Sequence, residues 1–354
     1  MRGFSIFLNE EVQEKTERYI ADMAESGFTG IFTSLHIPED DASLYKQRLI
    51  ALGTLAKRYH LDLMVDISGV ALKKAGFSFQ SLKTLADIGV TGLRMDYHID
   101  HKTIAQASQE MMISLNASTL DEEDIEVLKK ENADFANLEA WHNYYPRVET
   151  GLDRKEFIEK NQFLKENNFR VVAFVAGDDH LRGPMYAGLP TLEEHRNCHV
   201  LFAMEDLRNC MVDLVYIGDA GLKEDTRRQI QAYYQEKKVV LRAKRCGSAY
   251  FDYVVRGHIN RKDSARDVLR SAEARFWEIP VIHAEKAIER KVGSITIDNE
   301  KYLRYMGEIQ VVKHTLASDE RVNVVGIVIE KDIPLLPLVK AGMKFEIIEG
   351  RDEE

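Results

Sequence analysis

Arg2-Gly3-Phe4-Ser5-Ile6-Phe7-Leu8-Asn9-Glu10-Glu11 is the stretch on which the fold turns. Residues 3–9 form an apolar run that reads as a β-strand. A helical pattern follows over Glu11–Ser26, with apolar Val12, Tyr19, Ile20 and Met23 at helix-compatible intervals. An open doubly wound sheet would place a glycine-rich turn between these two elements, so that the backbone can approach a pyrophosphate. Asn9-Glu10-Glu11 contains no glycine, and the β/α rhythm it begins therefore points to a closed barrel.

Working outward, seven more apolar runs follow at residues 29–37, 61–68, 90–97, 111–117, 135–143, 170–177 and 212–218, alternating with amphipathic segments such as Ser43–Tyr59. Gly27 and Gly89 stop helices just before new apolar runs. Eight β/α units over residues 1–236 match the usual size of a (β/α)8 TIM barrel. Beyond residue 237 the rhythm changes. Lys238–Arg242, Ser294–Ile297, Gly307–Val312, Val322–Glu330 and Met343–Ile348 read as short strands, and Ser264–Phe276 reads as an Arg-rich helix. Asp298-Asn299 and Asp319-Glu320 have the composition of hairpin turns. The expected architecture is α/β, a barrel over 1–236 followed by a smaller, mostly β domain over 237–354.

Composition narrows the partners. A net charge of −10 disfavours nucleic acid, which normally demands a basic face, but leaves room for a small anion held by a few arginines. Cys198, Cys210 and Cys246 stand in no metal-binding or disulfide spacing, so no metal and no cofactor is expected. The chain enters its first strand at once and contains no apolar run of bilayer length, from which a cytoplasmic protein with no membrane partner is expected. Self-association into a homo-oligomer is left open.

In a barrel the chemistry gathers at the carboxyl ends of the strands. Those ends read Asn9, Ser34 and His36, Asp66 and Ser68, Arg94 and Asp96, Asn116 and Ser118, His142 and Asn143, Asp178, and Asp219. Period-two alternation turns Asp66, Arg94, Asp96 and Asn116 inward, with Val65, Leu93 and Leu115 outward. Some of these polar groups are expected only to cap the following helix. Two loops stand out: His142-Asn143-Tyr144-Tyr145-Pro146-Arg147, and Asp178-Asp179-His180-Leu181-Arg182-Gly183-Pro184 running on to Gly188-Leu189-Pro190-Thr191-Leu192-Glu193. Both are polar, shaped by Gly or Pro and rich in Arg and carboxylate, which suits an anionic ligand. The basic stretch Lys244-Arg245, Arg256 and Arg261 reads as a solvated surface strip.

These loops, extended through Val148-Glu149-Thr150-Gly151-Leu152 and Glu194-His195-Arg196, together with Thr296-Ile297-Asp298-Asn299-Glu300-Lys301-Tyr302-Leu303-Arg304-Tyr305-Met306-Gly307-Glu308, resemble the bacterial 6-phospho-N-acetylmuramidases of glycoside hydrolase family 170. The resemblance spans the whole chain. It implies a TIM barrel followed by a cyclophilin-like β-barrel domain. It also implies hydrolysis, inside the cell, of the β-1,4 bond between N-acetylmuramic acid 6-phosphate and N-acetylglucosamine, the partner then being a phosphorylated amino-sugar disaccharide.

The residues can be read toward that chemistry on their own terms. Glycosidic cleavage normally takes two carboxyl groups, one protonated and one ionised. Asp66 and Asp96 are the leading pair; Arg94 would hold Asp96 ionised and leave Asp66 as the acid. Glu149, Asp178, Glu193 and Asp219 are rivals, and attack by the substrate's own acetamido group is a further route. Arg182 and Arg147 are the expected phosphate and carboxylate partners, Arg182 pairing otherwise with Asp178 or Asp179. Asn116, His142, Asn143, Tyr145, Glu193 and Asp219 complete the expected contacts, with Tyr144 and Tyr145 available for stacking. Asn299 and Tyr302 belong to a segment with more aromatic and charged groups than a hairpin needs, expected either at the barrel mouth or packed within the small domain. Two other classes remain: a sugar-phosphate isomerase, racemase or aldolase, disfavoured because no lysine ends a predicted strand, and a non-catalytic sugar-phosphate sensor.

Overall fold

The computed structural model describes residues 2–35, 44–68, 72, 77–79, 82–95 and 99–350. Eight parallel strands close into a barrel: β1 (Arg2–Ser5), β2 (Gly30–Ser34), β3 (Asp62–Ile67), β4 (Gly92–Met95), β5 (Met112–Asn116), β6 (Leu138–Trp141), β7 (Arg170–Val175) and β8 (Leu214–Ile217). Closure is made by β1, which pairs with β2 through Gly3↔Gly30 and with β8 through Gly3↔Tyr216. Glycine is needed there because the Tyr216 ring lies across both strands; a Cβ would come within 2.0 Å of it at Gly3 and 2.4 Å at Gly30. All eight predicted runs are strands, each shorter than read. Residues 135–137, for example, form a 3-10 turn before β6.

Alternation holds as expected. Phe32, Met64, Trp141, Val172, Phe174, Leu214 and Tyr216 fill the interior, each fully buried large side chain contributing roughly 1.5–3 kcal/mol. Val65, Leu93, Ile113 and Leu115, on the opposite faces, are buried as well. The helices that concern the site are α1 (Glu14–Glu25), α2 (Tyr45–Arg58), α3 (Leu82–Asp87), α4 (His101–Ser108), α5 (Glu122–Lys130), α6 (Arg154–Glu166) and α7 (Val200–Asn209). Asp100, Asp121 and Asp153 start α4, α5 and α6 by accepting from backbone N–H groups of the first turn. No described helix is long and apolar enough to cross a membrane.

The chain forms two compact units, residues 1–227 and 228–354. The second is a seven-stranded mixed sheet in the order β10-β15-β9-β14-β12-β13-β11. Its strands are β9 (Lys238–Arg245), β10 (Gly257–Ile259), β11 (Val268–Arg270), β12 (Ser294–Asp298), β13 (Ile309–Val312), β14 (Val322–Val328) and β15 (Lys344–Glu349). Only β9 and β15 run parallel. Three readings of this region need correction. Ser264–Phe276 is not a helix: Val268–Arg270 pairs with Gln310–Val312, which takes its backbone groups and buries Val268 and Leu269, and only a 3-10 turn at Ala274–Phe276 follows. Asp298-Asn299 is not a hairpin turn, because Asp298 ends β12 and the Asn299 side chain accepts from the Lys301 N–H to start a 3-10 segment. Asp319-Glu320 does turn, with Val322 N–H donating to the Asp319 carbonyl, but it joins β13 to β14, and β12 lies between them.

Candidate active site

Neighbouring strands set three side chains in a row at the carboxyl end of the barrel. Ser34 is the cross-strand partner of Asp66, and Asp66 that of Arg94. Arg94 Nη1 donates to Asp66 Oδ1 at 2.7 Å, and Ser34 Oγ donates to Oδ2 at 2.9 Å. A second guanidinium nitrogen of Arg94 reaches Asn143 Oδ1 at 2.5 Å. Asp66 therefore acts as an acceptor through both oxygens. Arg94 pairs with Asp66 itself, a contact not among the expected pairs. Asp96 and His36 lie outside the described residues.

Asp66 and Arg94 of this row form one wall of a cavity of about 320 Å³ whose other walls are Phe32, His142, Asn143, Tyr144, Tyr145 and Phe174. The Tyr144 ring meets Phe174 edge-on at 5.2 Å, and burial raises its hydroxyl pKa. That hydroxyl accepts from Arg182 Nη1 at 2.9 Å. Arg182 also lies over the Phe7 ring, 4.2 Å from its centre. The alternative pairing with Asp178 or Asp179 does not form: Asp178 accepts from Lys223 N–H and Thr226 Oγ1, and Asp179 sits beside His180. Arg182 thus stands behind the pocket-lining Tyr144, paired with no carboxylate among the described residues. Arg147 is exposed on the neighbouring loop, and no described residue pairs with its guanidinium.

The side chains of several other expected contacts are engaged within the protein. His142 follows the inward Trp141 and turns outward: its ring packs on Phe157 of α6 at 4.5 Å and its Nε2 meets Asn161 Oδ1 at 2.7 Å. Burial holds its pKa down at about 4, so it is neutral; the residue also lines the cavity. Asn116 is buried and its Oδ1 accepts from the Ser118 N–H, a local turn contact. Asp219 is fully buried, and its carboxylate accepts from three backbone N–H groups, those of Gly177, Arg182 and Leu189. It shapes the loop that carries Arg182. In the second unit, Asn299 is buried against the Glu320 carbonyl and Asn323, and Tyr302 packs edge-on with Tyr305 beneath Arg321.

Glu193 is engaged within the protein as well. Its carboxylate takes a two-pronged contact from Arg196 at 2.7 and 2.6 Å and further hydrogen bonds from the N–H groups of Glu149 and Gly151. Arg196 in turn donates to the carbonyls of Tyr145 and Arg147 in one loop and of Ala187 and Gly188 in the other. Sequence reading passed over Arg196; its position three residues after Glu193 was the available signal. The Arg196 guanidinium and the two N–H groups hold the Glu193 pKa down at about 2. Because the folded value is depressed, the stabilisation is complete above the ordinary value of roughly 4.3 and is lost as pH falls toward about 2. Glu193→Gln should therefore lower stability at neutral pH by about 1–2 kcal/mol, and the gap should close through that acid window. Thermal melting as a function of pH measures it; a gap that stays constant would show that the charge has no part.

One group of possible metal ligands comes together among the described residues, Glu194, His195 and Asp206, but Arg154 already pairs with both carboxylates. A second cavity, about 300 Å³, opens at the amino ends of the strands. Its buried Glu139 is engaged by Trp141 and Arg170, and barrel chemistry belongs to the other end.

Comparison with known proteins follows this geometry. A family model described as 6-phospho-N-acetylmuramidase, N-terminal, matches residues 2–232, and its C-terminal counterpart matches residues 239–348. A crystal structure of a conserved protein of unknown function from an Enterococcus faecalis locus is similar at 49% identity and a TM-score of 0.92, over 99% of this chain and 96% of that one. An uncharacterized B. cereus protein is similar at 26% identity and a TM-score of 0.71, over 98% and 99% of the two chains. No curated protein matches.

Proposed function

The chain belongs to the 6-phospho-N-acetylmuramidase family, and from that premise we propose that it hydrolyses the β-1,4 bond of N-acetylmuramic acid 6-phosphate–N-acetylglucosamine in the recycling of cell-wall sugars within the cytoplasm. The observation that carries the reading is the pairing of two unlike groups at one pocket. Asp66 is an acceptor-only carboxylate fixed by Arg94 and Ser34, and Arg182 is a guanidinium held by an aromatic hydroxyl and a ring instead of a counter-charge. A sugar carrying a phosphate and a lactyl carboxylate supplies the missing anion.

In this mechanism Asp66 is the ionised member of the pair. It activates water or attacks the sugar carbon, or it orients the substrate's acetamido group to do so. Arg94 and Ser34 keep its oxygens in place, and Asn143 fixes Arg94 from the other side. The proton for the leaving oxygen falls to Asp96, which alternation sets on the same face as Arg94. Arg182 receives the phosphate and Arg147 the lactyl carboxylate, while Tyr145 offers a ring to the sugar. The second unit is assigned no catalytic group.

Incubation with the phosphorylated muramyl disaccharide tests the proposal. Release of a new reducing end is expected. Binding without release would leave a sugar-phosphate sensor, and isomerisation without release a different barrel enzyme.

A further inference from the structure

The pocket is small for the substrate proposed for it. About 320 Å³ lies at the low end of the range for ligand sites, roughly 300–1,000 Å³, and suits one substituted hexose. A disaccharide's second ring has to rest on the rim. Part of that rim is the loop after β6, which supplies Asn143, Tyr144 and Tyr145 to the cavity wall, and Arg196 ties it to the loop after β7 through carbonyls of both. Six large hydrophobic side chains are exposed among the described residues of the barrel unit: Leu44, Ile50, Val148, Met185, Tyr186 and Met211. Three of the six, Val148, Met185 and Tyr186, sit on these two loops, and Tyr186 is the most exposed at 68%.

Folding gives no reason for a tyrosine at 186. Its backbone adopts φ 50°, the left-handed region that costs an L side chain roughly 1–2 kcal/mol, and its ring gains no burial in return. The turn itself is well made: the Tyr186 N–H donates to the Arg182 carbonyl at 3.1 Å. Gly183 is bare where a Cβ would stand 3.0 Å from the Tyr186 ring. Arg182 begins this turn with its guanidinium on Tyr144, in the pocket wall. A single turn therefore carries a cation bonded to a pocket-lining tyrosine and, four residues on, an exposed aromatic ring. Strain held at a functional edge is a common use of such backbone.

We infer that Tyr186 is a specificity-determining residue whose ring is the platform for the second, leaving-side sugar of a β-linked disaccharide. The inference rests on the hydrolase reading above. A pyranose has an apolar C–H face that packs on an aromatic ring, and such contacts bring affinity without recognising charge. Arg182 would read the phosphorylated ring and Tyr186 its neighbour.

The test compares wild type, Tyr186→Ala and Tyr186→Phe on two substrates. One is the phosphorylated muramyl disaccharide. The other is the trifluoroethyl β-glycoside of N-acetylmuramic acid 6-phosphate, whose leaving alcohol resembles a sugar hydroxyl in acidity but carries no ring. Tyr186→Ala should raise KM for the disaccharide about three- to tenfold, the scale of one aromatic stacking contact, and leave the ringless glycoside unchanged. Tyr186→Phe should restore the disaccharide KM, since the ring and not the hydroxyl makes the platform. Unchanged disaccharide kinetics in Tyr186→Ala overturn the inference. So does an equal loss on both substrates, which would make the ring a support for the loop. A wild-type protein that cleaves neither substrate overturns the hydrolase reading, and this inference with it, before any variant is made.

Discussion

Asp66→Asn should lower turnover of the phosphorylated muramyl disaccharide by at least ~100-fold, the lower end of what a positioned acid or base contributes. The substitution removes charge and keeps shape. Asn retains one oxygen to accept from Arg94, and the Ser34 hydroxyl can rotate to accept from the new amide. What disappears is the ability to take a proton or attack a carbon. Arg94, with its side chain only 5% exposed, would then lose the counter-charge that Asp66 supplies, and losing one member of a buried pair costs up to roughly 3–5 kcal/mol. Circular dichroism and thermal melting at the assay temperature must accompany the kinetics. A folded variant with near-normal turnover would remove Asp66 from the mechanism.

Arg182→Ala should weaken the phosphorylated substrate by roughly 2–4 kcal/mol, on the order of 30- to 1,000-fold in kcat/KM, as expected when a charge-assisted contact to an anion is lost. The protein itself should tolerate the change, because Arg182 pairs with no carboxylate among the described residues, and the Asp219 contact runs through its backbone N–H. Discrimination is the sharper measurement. Wild type should prefer phosphorylated over unphosphorylated muramyl sugars, and the variant should not. An equal loss toward both would make Arg182 a prop for Tyr144.

The barrel was legible because its signals are local and repeated. Alternation alone put Asp66 and Arg94 on one face, since a strand leaves each side chain only two directions. It could not show that Arg94 pairs with Asp66: that depends on the register between β3 and β4, which sets Asp66 directly opposite Arg94. The engagement of Glu193 and Asp219 was hidden for a related reason. Their partners are backbone N–H groups and Arg196, and sequence shows no difference between a carboxylate left for a ligand and one consumed by loop amides. The outward turn of the His142 ring follows from counting the same alternation one residue past Trp141. In the second unit Ser264–Phe276 carried enough arginine to suggest a helix, whereas the deciding pairing of Val268 with Val312 spans more than forty residues of sequence and leaves no local trace.

The single guanidinium of Arg196 makes the two pocket loops one heritable module. Each loop supplies two of its carbonyl acceptors, and the loop after β6 also donates two N–H groups to the carboxylate that holds it. Transplanting either loop alone from a relative of different loop geometry would strand buried donors on the one left behind, at about 1–3 kcal/mol for each. Redesign of the pocket for another sugar has to move residues 143–151 and 177–196 together.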